Sequence, residues 1–94
     1  MAKATWNGAV IAQSDNTVMV EGNHYFPAAS VNAEYLSENT RTTTCFWKGK
    51  ANYYDITVDS KTNSAGAWYY AEPLENAAHI KDHVAFWNGV TVTD

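Results

Sequence analysis

Short apolar runs separated by polar punctuation fill the chain from end to end, and most of them are rich in β-branched and aromatic residues. Ala4-Thr5-Trp6, the turn pair Asn7-Gly8, and Ala9 to Gln13 predict a hairpin, because Asn-Gly readily adopts the positive φ of a type I′ turn. Ser14-Asp15-Asn16 is turn chemistry, and Thr17 to Glu21 reads as a third strand closed by Gly22-Asn23. His24-Tyr25-Phe26 is extended up to Pro27, which has no N–H for a ladder.

The next segment predicts a short helix over Val31 to Glu38. Ser30 would be its N-cap, Val31, Tyr35 and Leu36 its buried side, and Asn39 its stop. Two strands follow, Arg41 to Lys48 and Ala51 to Val58, around a Gly49-Lys50 turn. On the first, Thr43, Cys45 and Trp47 share one face while Thr44, Phe46 and Lys48 share the other. On the second, Tyr54, Ile56 and Val58 oppose Tyr53, Asp55 and Thr57.

Asp59 to Gly66 reads as a polar loop, and Ala67 to Ala71 as a strand stopped before Pro73. Trp68 and Tyr70 would share one face of that strand, with Tyr69 on the other. Leu74 to Lys81 predicts one or two helical turns, with Leu74, Ala77, Ala78 and Ile80 facing in. Val84 to Trp87, Asn88-Gly89 and Val90 to Thr93 predict a closing hairpin. Trp6-Asn7-Gly8 recurs as Trp87-Asn88-Gly89, which a shared turn code explains more simply than duplication. The expected architecture is one domain over residues 1–94, mainly β, a small twisted antiparallel fold with one or two short helices.

Composition narrows the function classes. A chain of 94 residues buries only about 60–65% of the surface its unfolded form exposes. Four Trp, six Tyr and three Phe give it more aromatic area than a minimal core requires, so some rings are expected to line a cleft. A formal net charge of −4, with six Lys and Arg scattered along the chain, disfavours nucleic acid as a partner. No apolar run approaches the ~20 residues that span a bilayer, and Met1 to Asn7 has no signal-peptide core. A single cysteine can form neither an internal disulfide nor a Cys₂ zinc site. These features together suit a cytoplasmic domain with no metal and no membrane partner.

The candidate chemistry centres on Thr44 to Tyr54. Lys48, beside a Gly turn between two aromatic strands, can grip a carboxylate or phosphate with Trp47 or Tyr53 as a stacking surface; the competing reading is a solvated strand-end lysine. Glu21 ends an apolar strand, with Tyr25 four residues on. If partly buried, its carboxylate would seek Lys48 or a tyrosine hydroxyl, with a displaced pKa. Cys45 requires an activating neighbour to be a nucleophile, and strand alternation points Lys48 away from it, so a packed small residue is the simpler account. His79 and His83 have metal spacing, yet Ile80 stands where a metalloprotease signature needs Glu, and two surface histidines explain the pair. Asp55 and Asp59 straddle a strand end and make a weak metal pair. Tyr53, Tyr54, Trp68, Tyr69 and Tyr70 are either cross-strand stabilisers or a lining. No nucleophile elbow, phosphate-binding Gly loop or dinucleotide fingerprint is present.

Several of these pieces in order resemble a known family. They are Ala4-x-Trp6-Asn7-Gly8, then Glu21 with Tyr25-Phe26-Pro27, then Cys45-x-Trp47-Lys48-Gly49-x-Ala51-x-Tyr53-Tyr54. Ala67-Trp68-x-Tyr70-x-x-Pro73 and Ile80 with Val84-Ala85-Phe86 complete the series. Together they resemble the domain of unknown function four-two-seven over nearly the whole chain. The resemblance implies a fold akin to the β-tent, or Mss-four-like, type. Relatives of that type often hold zinc in two Cys-x-x-Cys knuckles, which Cys45 alone cannot supply. It also implies a site drawn from the motif positions Glu21, Tyr25, Cys45, Lys48, Tyr53, Trp68 and Tyr70, with His83 and Trp87 as looser matches. A nucleotidyltransferase label is sometimes attached to the family, but the Gly-Ser and paired aspartates of such enzymes are missing here.

Three function classes stay open on sequence. The favoured one is a binding module that takes a small anionic or planar molecule in an aromatic-lined cleft around Lys48, with Glu21, Tyr25, Cys45, Trp47, Tyr53, Trp68 and Tyr70 about it. The second is a nucleotidyltransferase-like or Cys45-dependent enzyme. The third is a structural or protein-interaction domain, with Tyr69 or Trp87 exposed at an interface.

Overall fold

A computed structural model describes residues 1–94. Nine strands form two antiparallel sheets: β1 (Ala2–Trp6), β2 (Ala9–Ser14), β3 (Val18–Val20), β4 (Asn23–Pro27), β5 (Leu36–Cys45), β6 (Gly49–Val58), β7 (Lys61–Tyr69), β8 (His83–Phe86) and β9 (Thr91–Thr93). The smaller sheet has the order β2-β1-β9, and the larger the order β3-β4-β8-β7-β6-β5. The mainly β, antiparallel fold expected from the strand pattern is the fold observed.

The larger sheet carries buried apolar residues on both faces, although β5 along its edge is mostly polar and exposed. One face packs Phe26, Ile56, Val58, Ala67, Val84 and Phe86 against Ala2, Ala4, Ile11 and Ala12 of the smaller sheet. A bulge where Ala4 pairs Ala12 but Thr5 pairs Val10 turns both Ile11 and Ala12 inward. The opposite face gathers Tyr25, Ala51, Tyr53, Tyr70 and Ala85 under Ala77 and Ile80. Those last two belong to a 3-10 segment, Glu75–Ile80, which stands where one or two helical turns were expected. Leu74 and Ala78, expected to face in, are exposed.

Three further expectations are corrected. The helix over Val31 to Glu38 does not form. Two 3-10 turns (Ala28–Ser30 and Ala33–Tyr35) lead straight into β5, where Leu36 to Asn39 pair with Ile56 to Tyr53. Ser30 caps nothing; its hydroxyl donates to the Pro27 carbonyl at 2.7 Å. Cross-strand pairing outweighs a helical preference that Ser37, Asn39 and Thr40 leave weak. The polar stretch from Asp59 to Gly66 is not a loop. Asp59 and Ser60 both take positive φ, 50° and 65°, and Lys61, Thr62 and Asn63 pair back onto Val58, Thr57 and Ile56. The closing hairpin is also absent. Asn88-Gly89 makes its tight turn, but it hands the chain from β8 in the larger sheet to β9 beside β1 in the smaller.

The β5–β6 connection is shifted as well. Cys45 pairs with Gly49, so Phe46, Trp47 and Lys48 form the turn itself, immediately before the expected Gly49-Lys50. The segregation of Cys45 and Lys48 to opposite strand faces therefore does not apply, because Lys48 is not in a strand.

Candidate functional site

Lys48 is held from both sides. Its carbonyl accepts the Leu74 N–H at 2.9 Å. Gly49 behind it has φ +109°, a left-handed conformation that glycine takes without strain. The Lys48 side chain is 10% exposed, and its ammonium donates to Glu21. Glu21 reaches it from the β3–β4 turn, where it adopts φ +54°, a conformation that costs a non-glycine residue roughly 1–3 kcal/mol. Burial pushes the Lys48 ammonium down, but the hydrogen bond to Glu21, with Tyr25 and Tyr70 close by, outweighs it and holds the group above its usual range. The same hydrogen bond, aided less by Trp47, holds the Glu21 carboxyl below its usual value.

Aromatic walls rise around this pair. Lys48, Tyr53, Trp68, Tyr70 and Trp87 line a cleft of about 210 Å³. Trp68 meets Trp87 edge to face at 6.2 Å and Tyr25 at 6.1 Å. Its indole N–H donates to the Tyr25 hydroxyl at 3.2 Å. The Tyr53 hydroxyl shares a 2.9 Å hydrogen bond with Thr43. The Lys48 ammonium lies 5.4 Å from the Trp47 ring and 5.6 Å from the Tyr70 ring.

A second cation stands at this cleft. The Arg41 guanidinium lies 4.9 Å from the Tyr53 ring centre and 5.8 Å from that of Trp87. A bulge puts it there: Asn39 pairs with Tyr53 and Thr42 with Asn52, so Thr40 and Arg41 are extra residues. The Asn39 side chain closes this bulge by accepting the Arg41 N–H at 2.8 Å and donating to Asp55 at 2.8 Å. Asp55 also accepts the N–H of Ala65, within a bulge of β7, and the Ala65 carbonyl takes the Trp87 indole N–H at 2.7 Å. Hydrogen bonds from Asn39 and then Ala65 keep the Asp55 carboxyl below its ordinary value. One carboxylate thus ties the strand bearing Arg41 to the segment that anchors Trp87.

Of the residues singled out in the sequence, Lys48, Tyr53, Trp68 and Tyr70 line the cleft. Glu21 occupies the ammonium of Lys48, Tyr25 lies fully buried behind Trp68, and Trp47 flanks Lys48. Cys45 is half-buried and packs against the core cluster that contains Tyr53 and Tyr70. Arg41 and Trp87 are the two members that strand alternation did not reach. Trp87 was expected as part of a Trp-Asn-Gly turn, a looser family match and an exposed interface ring, and Arg41 depends on a bulge that no local motif announces.

The other candidates fall elsewhere. His79 is exposed, and His83 opens β8 with its Nδ1 2.7 Å from the Lys81 carbonyl. No three His, Cys, Asp or Glu side chains come together to hold a metal ion. A wider cavity of about 480 Å³ on the far side of Trp87 is lined by Met19, His24, Phe86, Val92 and Asp94 among others. Its one histidine is engaged by Thr17 and Asp94, each at 2.8 Å. No helix is long and apolar enough to cross a membrane.

These features define a small two-sheet β protein with an aromatic cleft built around a buried, ion-paired lysine. The chain belongs to the family described as Domain of unknown function (DUF427), whose model matches residues 1–93. Among curated proteins no match to the chain was found.

Proposed function

We propose that the protein is a binding module for a small planar or anionic molecule, taken into the cleft of Tyr53, Trp68, Tyr70 and Trp87 beside Lys48. The observation that carries this reading is the convergence of four aromatic rings and a buried ammonium on one cavity of about 210 Å³. Drug-sized ligands occupy roughly 300–1,000 Å³, so the cleft suits a molecule of about one ring. Nucleotidyl transfer receives no comparable support. The divalent ion it needs at the phosphates calls for converging carboxylates, and the donor set here does not fit one.

A screen of small aromatic acids, amides and nucleobases by thermal shift tests the reading. A ligand of the folded state at a hundredfold its dissociation constant adds about 2.7 kcal/mol of stability. At least one single-ring compound should raise the midpoint of the wild type and leave Trp68→Ala unmoved at its own midpoint. If every compound that shifts the wild type shifts Trp68→Ala equally, the cleft is not the site.

A further inference from the structure

Lys48 is the natural choice for an anion receptor in this cleft, but its ammonium already has a carboxylate partner. An incoming anion would have to displace Glu21 from a group that is 10% exposed. Arg41 is in the opposite situation. It is exposed and takes part in none of the ion pairs, and its side chain makes no hydrogen bond within the chain. Its guanidinium lies against the Tyr53 and Trp87 rings. With no hydrogen bond or ion pair to its N–H groups, the guanidinium keeps its fork of donors for a planar, bidentate acceptor beside those rings. The position is built rather than accidental, since Asn39 clamps the Arg41 bulge through two hydrogen bonds of 2.8 Å each.

We propose that Arg41, rather than Lys48, reads the charge of the ligand, and that the ligand is a flat, single-ring carboxylate whose ring enters the aromatic cleft while its carboxylate meets the Arg41 fork. This rests on the binding reading above and names the chemical class for that site. Lys48 with Glu21 then forms a neutral wall. Ring stacking supplies affinity that is indifferent to charge, and Arg41 supplies the preference for an acid over its neutral isostere.

Benzoate and benzamide separate the two contributions, because they share a ring and differ in charge. Their dissociation constants are measured by following the Trp68 and Trp87 indole N–H resonances in wild type, Arg41→Gln, Arg41→Lys and Lys48→Met. Wild type should bind benzoate at least about tenfold more tightly than benzamide, the worth of one charge-assisted contact. Arg41→Gln should remove that preference while leaving benzamide within about twofold, and Arg41→Lys should restore it only in part because the fork is lost. A preference that survives Arg41→Gln, or that disappears only in Lys48→Met, overturns the assignment to Arg41. Equal binding of the two probes by wild type overturns the carboxylate class but leaves the cleft reading standing. Binding of neither probe, with no movement of either indole resonance, removes both.

Discussion

The Asn39 side-chain amide donates to the Asp55 carboxylate at 2.8 Å, and the same oxygen accepts the Ala65 N–H at 2.8 Å. Two neighbouring bulges are thereby fixed to one another. The first aims Arg41 over Tyr53 and Trp87, and the second presents the carbonyl that holds the Trp87 indole. The cleft owes its shape to a carboxylate that does not line it.

Asp55→Ala should therefore disturb the cleft from a distance. Losing two hydrogen bonds to a charged acceptor costs about 1–3 kcal/mol, and a red shift of tryptophan emission should report the freeing of Trp87. The effect carries a pH signature. Because the hydrogen bonds from Asn39 and Ala65 hold the Asp55 carboxyl below its ordinary 3.8, the folded state binds that proton more weakly than the unfolded chain. The contribution is complete above about pH 4 and is lost as pH falls through the folded-state value. Urea midpoints for wild type and Asp55→Ala should thus converge as the pH is lowered below 4. A gap that stays constant down to pH 3 would show that the carboxylate's charge is not what the bulges use.

Gly66→Ala should be costly for a reason specific to its neighbour. A Cβ at Gly66 would lie 2.8 Å from the Cγ of Asn63. Asn63 is buried and cannot swing aside freely, because its amide donates to the Asn88 carbonyl at 2.9 Å and accepts from the Asn88 side chain at 3.3 Å. Overpacking of this kind costs about 1–3 kcal/mol. Removing the obstacle should recover part of it, so the Asn63→Ala/Gly66→Ala double variant should be more stable than the sum of the single losses predicts. Strict additivity in denaturation would mean the two side chains do not collide.

The sequence made the strands legible where turn chemistry was strong and misplaced them where it was weak. Asn7-Gly8 announces its hairpin because both residues take positive φ readily. Asp59-Ser60 adopts the same geometry without glycine, so the segment after it looked like a loop. Val31 to Glu38 carried helical spacing, and only the pairing of β5 with β6, a tertiary effect, reveals it as turns and strand. Tyr53, Trp68 and Tyr70 of the cleft stood out as aromatic positions on two expected strands, whereas Trp87 lies just past the end of β8. Glu21 meets Lys48, one of the partners its position offered. Arg41 was hidden because a bulge of two residues shifts the register of β5, and register beyond a bulge is set by the neighbouring strand.

Away from the cleft, Tyr69 gives a test at high pH. Its hydroxyl donates to both Glu38 oxygens, at 2.9 and 3.0 Å, and its ring stacks on Tyr54 with centres 4.5 Å apart. Burial first, and then the Glu38 carboxylate, push the Tyr69 hydroxyl far above its ordinary 10.0; burial raises Tyr54 and Tyr70 as well. The fold thus favours the neutral phenols, and this stabilisation is complete below about pH 10 and lost as pH rises beyond it. In an ultraviolet absorbance titration, Tyr54, Tyr69 and Tyr70 should ionise late, together with the loss of β-sheet circular dichroism. Glu38→Gln should advance Tyr69 toward the ordinary range. Uniform ionisation near pH 10 with the fold intact would contradict the Tyr69–Glu38 contact.

The pair of Glu21 and Lys48 should respond asymmetrically to mutation, because its members are buried to different degrees. The Glu21 side chain is 53% exposed and that of Lys48 10%. Lys48→Met leaves a carboxylate that water can solvate and puts an apolar chain of similar length among Trp47, Tyr25 and Tyr70. Glu21→Gln leaves a buried ammonium without its counter-charge, the more expensive defect. Glu21→Gln should therefore lower the thermal midpoint more than Lys48→Met does. Backbone strain adds a second contrast. Once Lys48→Met has removed the ion pair, Glu21 holds φ +54° with nothing gained, and glycine takes that conformation freely. Adding Glu21→Gly to Lys48→Met should raise the midpoint above that of Lys48→Met alone, whereas Glu21→Gly in the wild type should lower it. If the substitution has the same sign in both backgrounds, the strained turn is not being held in place by the ammonium of Lys48.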